Sequence, residues 1–255
     1  MSMAGVDPIR IEEAGLNALQ TQRQLFYDGW LLRLSPGKAK RARSVNPHFG
    51  SSLPLDVKIE HCEGVYAARG LPALFRVTPF RRPPELEAVL ERRGYVAFDP
   101  TLVQVVRLPH AFVAPRGVDV ELVAPPVAAF VDAVGELRGS THEQRAAHLE
   151  RLAHTPLAMH VIVARVDGCA AACGQVTLEG GLAGVYDMVT APELRGRGLA
   201  TLIVDRLLAW AERRGASHAF LQVNDENAPA LAAYRKFGFA TAYTYHYRAR
   251  PDECR

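Results

Sequence analysis

The chain has 255 residues, 49% of them hydrophobic and 22% charged, with a formal net charge of +3. A chain of this length buries roughly 70 to 75% of its unfolded surface, enough for one large domain or two smaller ones. Its composition excludes a fibrous or disordered chain, and its small net charge excludes recognition of nucleic acid through a general basic excess. Cys62, Cys169, Cys173 and Cys254 are too few and too irregularly spaced for a disulfide framework. No run approaches the ~18 apolar residues of a membrane span. Charged residues occupy the opening segment MSMAGVDPIRIEEAG, where a signal peptide needs an apolar stretch. The expectation is a soluble, cytoplasmic protein without a membrane partner.

In the upstream half, GWLLRL and KRARSV read as a hairpin joined at Pro36-Gly37. A helix from Leu55 to Ala68, the strand LPALFRV (71–77), a helix from Glu85 to Arg93 and a strand from Tyr95 onward follow. The basic run Lys38, Lys40, Arg41 and Arg43 falls on the hairpin, where its charges alternate between faces. It is read as a solvated strand or a cap for an acidic substrate rather than a nucleic-acid surface. Two prolines and a glycine in LPHAFVAPRGV (108–118) mark a junction between a domain at 1–112 and another at 113–255.

Downstream, VDVELV (118–123) reads as a strand. PPVAAFVDAVGELRG spaces Phe130, Val131 and Val134 on one helix face, and a second helix covers Glu143 to Ala153. MHVIVARVDG, CAAACGQVTLEGG and LAGVYDMVT form an antiparallel meander, with Asp-Gly and Gly-Gly as turns. A helix over Gly198 to Arg214 ends at Gly215, the strand HAFLQV (218–223) follows, then the helix APALAAYRKF (228–237) before Gly238, and a last strand FATAYTYHYR. Because a helix separates the third meander strand from HAFLQV, those two are expected to lie parallel and adjacent through a right-handed crossover. The upstream half repeats this order. Gly70 and Gly94 lie 24 residues apart, Gly215 and Gly238 lie 23 apart, and LFRV and FLQV share their apolar alternation.

The chemistry concentrates in VYDMVTAPELRGRGLAT (185–201), where a strand ends and a helix opens on Arg195-Gly196-Arg197-Gly198-Leu199-Ala200. A helix N-terminus leaves about four N–H groups unpaired and carries roughly half a positive charge. Glycines allow a diphosphate to approach closely. A Walker A loop needs Gly-Lys-Ser/Thr, which Leu199-Ala200-Thr201 does not supply. A dinucleotide fingerprint needs a third glycine where Thr201 stands, and it opens a parallel unit rather than following a meander.

These residues resemble the GNAT superfamily of N-acetyltransferases. Its coenzyme motif R/Q-x-x-G-x-G/A stands as Arg195, Gly198 and Ala200, and its second motif as Asn227, Tyr234, Gly238 and Phe239. The match spans about Val118 to Arg248. The resemblance implies an α/β fold of tandem GNAT-like units, each a mixed, mostly antiparallel sheet with a parallel pair at the coenzyme site, flanked by helices. It implies acetyl-coenzyme A as cosubstrate and no metal. Backbone groups of Arg195 to Thr201 would bind diphosphate, Met188, Val189 and Thr190 would pair with the pantetheine arm, and Asn227 belongs to the same site. Tyr234 is the implied acid for the departing thiolate, since a neutral phenol keeps its proton at pH 7. Asp187 is the base considered first, with Glu179, Tyr186 or a water chain as alternatives. The upstream half has Leu90 and Pro83 where Tyr234 and Asn227 stand, and no glycine loop, so it reads as a degenerate copy that packs on the catalytic half and walls the acceptor site. Cys169-x-x-x-Cys173 lacks the spacing of common zinc sites, and His142, His148, His154 and His160 recur every six residues, matching neither helix nor strand. The expected activity is acetyl transfer to a primary amine, small molecule or peptide, by direct attack in a ternary complex in a monomer or homodimer. The competing reading is a coenzyme A-binding regulatory module without turnover.

Overall fold

A computed structural model describes residues 5–112 and 120–254. The helices are α1 (Pro8–Asn17), α2 (Leu55–Ala67), α3 (Leu86–Arg92), α4 (Val127–Leu137), α5 (His142–Ala153), α6 (Leu199–Glu212) and α7 (Ala228–Lys236). The upstream strands are β1 (Gln24–Tyr27), β2 (Trp30–Arg33), β3 (Val45–Asn46), β4 (Phe75–Val77) and β5 (Val96–Arg107). Those downstream are β6 (Glu121–Val123), β7 (Ala158–Val166), β8 (Cys169–Glu179), β9 (Leu182–Thr190), β10 (His218–Asn224) and β11 (Ala240–Ala249). The expected junction falls largely on residues 113–119, outside the described residues. Among the described residues no helix is long and apolar enough to cross a membrane.

The strands form one mixed sheet in the order β1-β2-β3-β4-β11-β5-β10-β9-β8-β7-β6. β7, β8 and β9 are the expected antiparallel meander, and β9 pairs parallel with β10. In the upstream half β3 pairs parallel with β4 across α2, the counterpart of β9 and β10 across α6. Gly94 and Gly238 follow equivalent helices at φ 83° and 86°, left-handed values that glycine reaches without strain. The element order had not indicated which strands pair at the centre. β5, the last strand of the upstream half, lies antiparallel to β10, while β11, the last strand of the chain, lies antiparallel to β4. β5 and β11 also pair with each other. Each half therefore completes the other's sheet.

One element was not anticipated, and one local expectation is corrected. The opening segment forms helix α1, with Asp7 accepting from the Ile9 amide at 3.0 Å and Pro8 in the first turn. Moreover, the basic run is not the second strand of a hairpin. Lys40–Ala42 makes a 3-10 turn, and only Val45–Asn46 pairs with β2. Proline and glycine at 36 and 37 open a longer loop than a hairpin needs, and Lys38 anchors it by donating to the carbonyls of Arg138 (2.6 Å) and Gly139 (3.1 Å).

The apolar face of α6, through Ile203, Leu207, Leu208 and Ala211, is buried with Val176 and Val185 of the meander. The upstream core gathers Trp30, Phe75, Leu90 and Tyr95, with Phe75 edge-on to Trp30 at 6.1 Å and to Tyr95 at 5.4 Å. Between the halves, Glu12 of α1 is buried against Arg76 of β4 and accepts from the Tyr243 hydroxyl of β11 at 2.6 Å.

Candidate functional site

The parallel ladder between β9 and β10 runs from His218↔Leu182 to Leu221↔Val185 and stops there. At that point β9 bulges: Cys173 of β8 faces Val189 but Gln175 faces Tyr186, so Asp187 and Met188 together oppose Gly174. Asp187 takes the positive φ of 52° that the bulge requires. The two strands part, and the edge of β9 beyond Val185 is left without a β10 partner. A cavity of about 850 Å³ opens in the gap, lined by β9 from Val185 to Thr190 and by β10 from Leu221 to Asn224.

The glycine loop closes one end. Gly198 is the N-cap of α6 at φ 82°, Gly196 sits at φ 77°, and a Cβ at either would meet nothing within 4 Å. The space in front of the loop is thus open to a bulky group. The first backbone bond into the helix runs from the Leu202 amide to the Gly198 carbonyl at 2.9 Å, so the amides before Leu202 have no intrahelical acceptor, an arrangement that suits an anion. Leu199 and Thr201 are largely buried and line the cavity. Arg195 lines the cavity; Arg197 is exposed and does not.

The α7 side carries Asn227, whose side chain caps the helix by accepting from the Ala230 amide at 3.2 Å while lining the cavity. Two turns further, Tyr234 is 8% exposed and lines the same cavity. Burial pushes its phenol up to about 12, so it remains a proton donor across the neutral range. Met188, Val189 and Thr190 line the cavity as well. Glu179 does not; it accepts from Asn17 of α1 at 2.9 and 3.1 Å.

Asp187 accepts from Arg138 Nη1 at 2.8 Å, from Gln175 Nε2 at 2.8 Å and from His148 Nε2 at 2.9 Å, with Arg151 Nη2 at 3.9 Å. Burial alone would raise its pKa, but His148, Arg138 and Arg151 outweigh burial and hold it well below the usual carboxylate range. His148 of α5 also lines the cavity. In the neutral tautomer that donates its Nε2–H to Asp187, Nδ1 is the ring's acceptor. Sequence reasoning missed this pair because the partners stand 39 residues apart on a helix and a strand. The six-residue histidine spacing said nothing of it. The opposite wall comes from the upstream half, through Leu19 and the loop residues Ser35, Lys38 and Arg41.

The family model described as "Probable histone acetyltransferase Rv0428c C-terminal" matches residues 8–248. A Bacillus subtilis protein described as the uncharacterized N-acetyltransferase YobR is 28% identical over 226 residues, which is 87% of this chain and 90% of that protein. Among solved structures, a GCN5-related N-acetyltransferase from Kribbella flavida superposes with a TM-score of 0.69 at 20% identity, covering 98% of this chain and 96% of that one. A tandem GNAT protein from the clavulanic acid biosynthesis pathway superposes with a TM-score of 0.56 at 18% identity, covering 74% and 66%. With a family match over nearly its whole length, and a cavity framed by parted parallel strands and a glycine-opened helix, this chain belongs to the Rv0428c C-terminal acetyltransferase family, within the GNAT superfamily of N-acetyltransferases.

Proposed function

We propose that the protein transfers an acetyl group from acetyl-coenzyme A to a primary amine, directly, with both substrates in the cavity at once. The observation that carries this reading is the meeting of three features in one cavity: the open N-terminus of α6, the unpaired edge of β9 and the buried phenol of Tyr234. The amides of Gly196 to Thr201 and the Arg195 guanidinium suit a diphosphate, and the free edge of β9 from Met188 to Thr190 suits an amide-bearing arm. Acetyl-coenzyme A supplies an activated acyl group and a thiolate leaving group. His148 accepts a proton from the amine at Nδ1, while Asp187 orients the imidazole and stabilises its cationic form. In this reading the base role considered for Asp187 passes to His148, because a carboxylate held so firmly ionised is a weak proton acceptor. Tyr234 donates to the departing sulfur. The position of Lys38 and Arg41 suggests that the upstream half, residues 1–112, walls the acceptor side of the site in residues 113–255.

The test is calorimetric titration with acetyl-coenzyme A, followed by thiol release with a panel of amines. Wild type is expected to bind the coenzyme and to release thiol only when an amine is present. Gly198→Glu places bulk and negative charge in the open space before α6 and is expected to abolish binding. Gly198→Ala carries only the left-handed backbone penalty of ~1–2 kcal/mol and is expected to bind more weakly. Unchanged affinity in the glutamate variant removes the diphosphate assignment. Binding without turnover of any amine favours the regulatory module instead.

A further inference from the structure

The acceptor end of the cavity carries more positive charge than the protein neutralises. Arg195 and Lys236 border the coenzyme end, whereas Lys38, Arg41, Arg138 and Arg151 lie toward the other end with a single lining carboxylate, Asp187, among the described residues. Asp187 is committed to Arg138, and Arg151 only reaches it at 3.9 Å. The Arg151 side chain is 9% exposed, and its Nε is buried without a hydrogen-bond partner. Arg41 is a further step from compensation. It forms no ion pair among the described residues, its Nη1 is buried and unpartnered, and its guanidinium lies over the Tyr186 ring at 5.6 Å. Behind them Arg33 is 2% exposed, with Nη1 also unpartnered. The nearby Glu12 is already held by Arg76 and Tyr243.

The guanidinium groups register one another. Burial lowers Arg151, and although Asp187 opposes that, Arg41 and Arg138 press it further down. Arg33 is lowered to about 10 by burial and by the repulsion of Arg76, against the pull of Glu12, with Arg151 and Arg41 adding to the repulsion. Buried charge of one sign with unused donors calls for a counter-charge from outside the chain. Planar guanidinium forks suit oxyanions in particular.

The position limits the size of the ligand. Arg41 packs on Tyr186 and Arg151 approaches Asp187, two residues and one residue before Met188, where the edge of β9 taken for the coenzyme arm begins. At about 3.3 Å per strand residue, an anionic group seated there stands only a few bonds from an amine beside His148.

We propose that the acceptor is a small amine bearing an oxyanion a few bonds from its nitrogen, held by Arg41 and Arg151, rather than a polyamine or another polycation. This rests on the acetyl-transfer reading above and specifies the substrate class for that site.

The experiment compares wild-type kinetics for paired acceptors: free α- and β-amino acids against their amides and decarboxylated amines, with aminoalkyl phosphates as a second anionic arm and polyamines as the cationic arm. The expected result is kcat/KM about 10²-fold higher for the anionic member of a pair, in line with loss of a charge-assisted bidentate contact. Preference for the amino acids identifies a carboxylate; preference for the phosphates identifies a phosphate. Arg41→Gln is expected to raise KM for the anionic acceptor toward that of its amide without changing coenzyme affinity, and Arg41→Lys to recover part of the loss. Equal turnover of acid and amide, or faster turnover of polyamines, overturns the proposal while leaving acetyl transfer intact. Coenzyme binding with no thiol release from any arm sinks the acetyl-transfer reading itself. The wild-type comparison needs no variant to fold.

Discussion

A phenol on α7 and an imidazole on α5 line one cavity, and each is set by its surroundings. Tyr234 keeps its proton because burial disfavours the phenolate. His148 has its orientation fixed by a carboxylate that three other groups hold ionised. Removing the phenol in Tyr234→Phe leaves the ring's packing against Phe239 in place. The expected outcome is a fall in kcat of about 10²-fold or more, with the KM for acetyl-coenzyme A little changed. His148→Gln retains a donor toward Asp187 but not the basic nitrogen, and a comparable fall in kcat/KM for the amine is expected, with coenzyme affinity kept. Steady-state kinetics and calorimetry on the two variants check both. Tyr234 was legible because a motif carries it. His148 was not, since an ion pair between a helix and a bulged strand leaves no local signal in either segment.

At the level of elements, the site depends on how closely α6 sits on the meander. Gly174 faces the bulge, and a Cβ there would lie 2.5 Å from Met188 Sδ, 2.7 Å from Ile203 Cγ2 and 3.2 Å from Leu207 Cδ1. No adjustment of one flexible side chain relieves all three. Gly174→Ala is therefore expected to push α6 outward, to destabilise the fold by about 1–3 kcal/mol and to weaken coenzyme binding, since the loop at Gly198 moves with the helix. Denaturant unfolding with calorimetry tests this. Helix and strand periods show through clearly in the downstream half because long elements repeat their pattern many times. Within KRARSV, the stretch from Lys40 to Arg43 was misread as a strand because basic residues imitate a strand's period when no apolar residue fixes the face; it belongs to the loop that follows Ser35. That loop has a second role in the structure, tying down the end of α4 through Lys38.

Across the whole molecule, Glu12 links α1 to β4 through Arg76 and to the exchanged strand β11 through Tyr243. Burial alone would raise its pKa, yet Arg76 and His48 outweigh burial and hold it far below the usual carboxylate range. A carboxylate lowered in this way adds stability that is fully present above its unfolded pKa of about 4.3 and is lost as pH falls toward the folded value. Stability is thus expected to decline with acidification below about pH 4.5, and Glu12→Gln to flatten that slope. At pH 7 the variant is expected to lose about 3–5 kcal/mol, because Arg76 would remain buried without its counter-charge. Urea titrations at both pH values check the two statements. The repeat itself was legible in the glycine spacing and in the helix, strand, helix order. Its reciprocal pairing was not, because a strand's sequence records which faces are apolar and not which neighbour it will find.

That reciprocal pairing bears on how such a chain can change over time. A silent duplicate sitting beside an active one would be free to erode and disappear. Here the upstream half owns an interior strand of the downstream half's sheet and lends residues to the wall of the cavity, so deleting it would open a raw edge through the middle of the sheet. The upstream half is thereby held in place as architecture, and a change in its loop at Lys38 or Arg41 can reshape the cavity without touching the glycine loop.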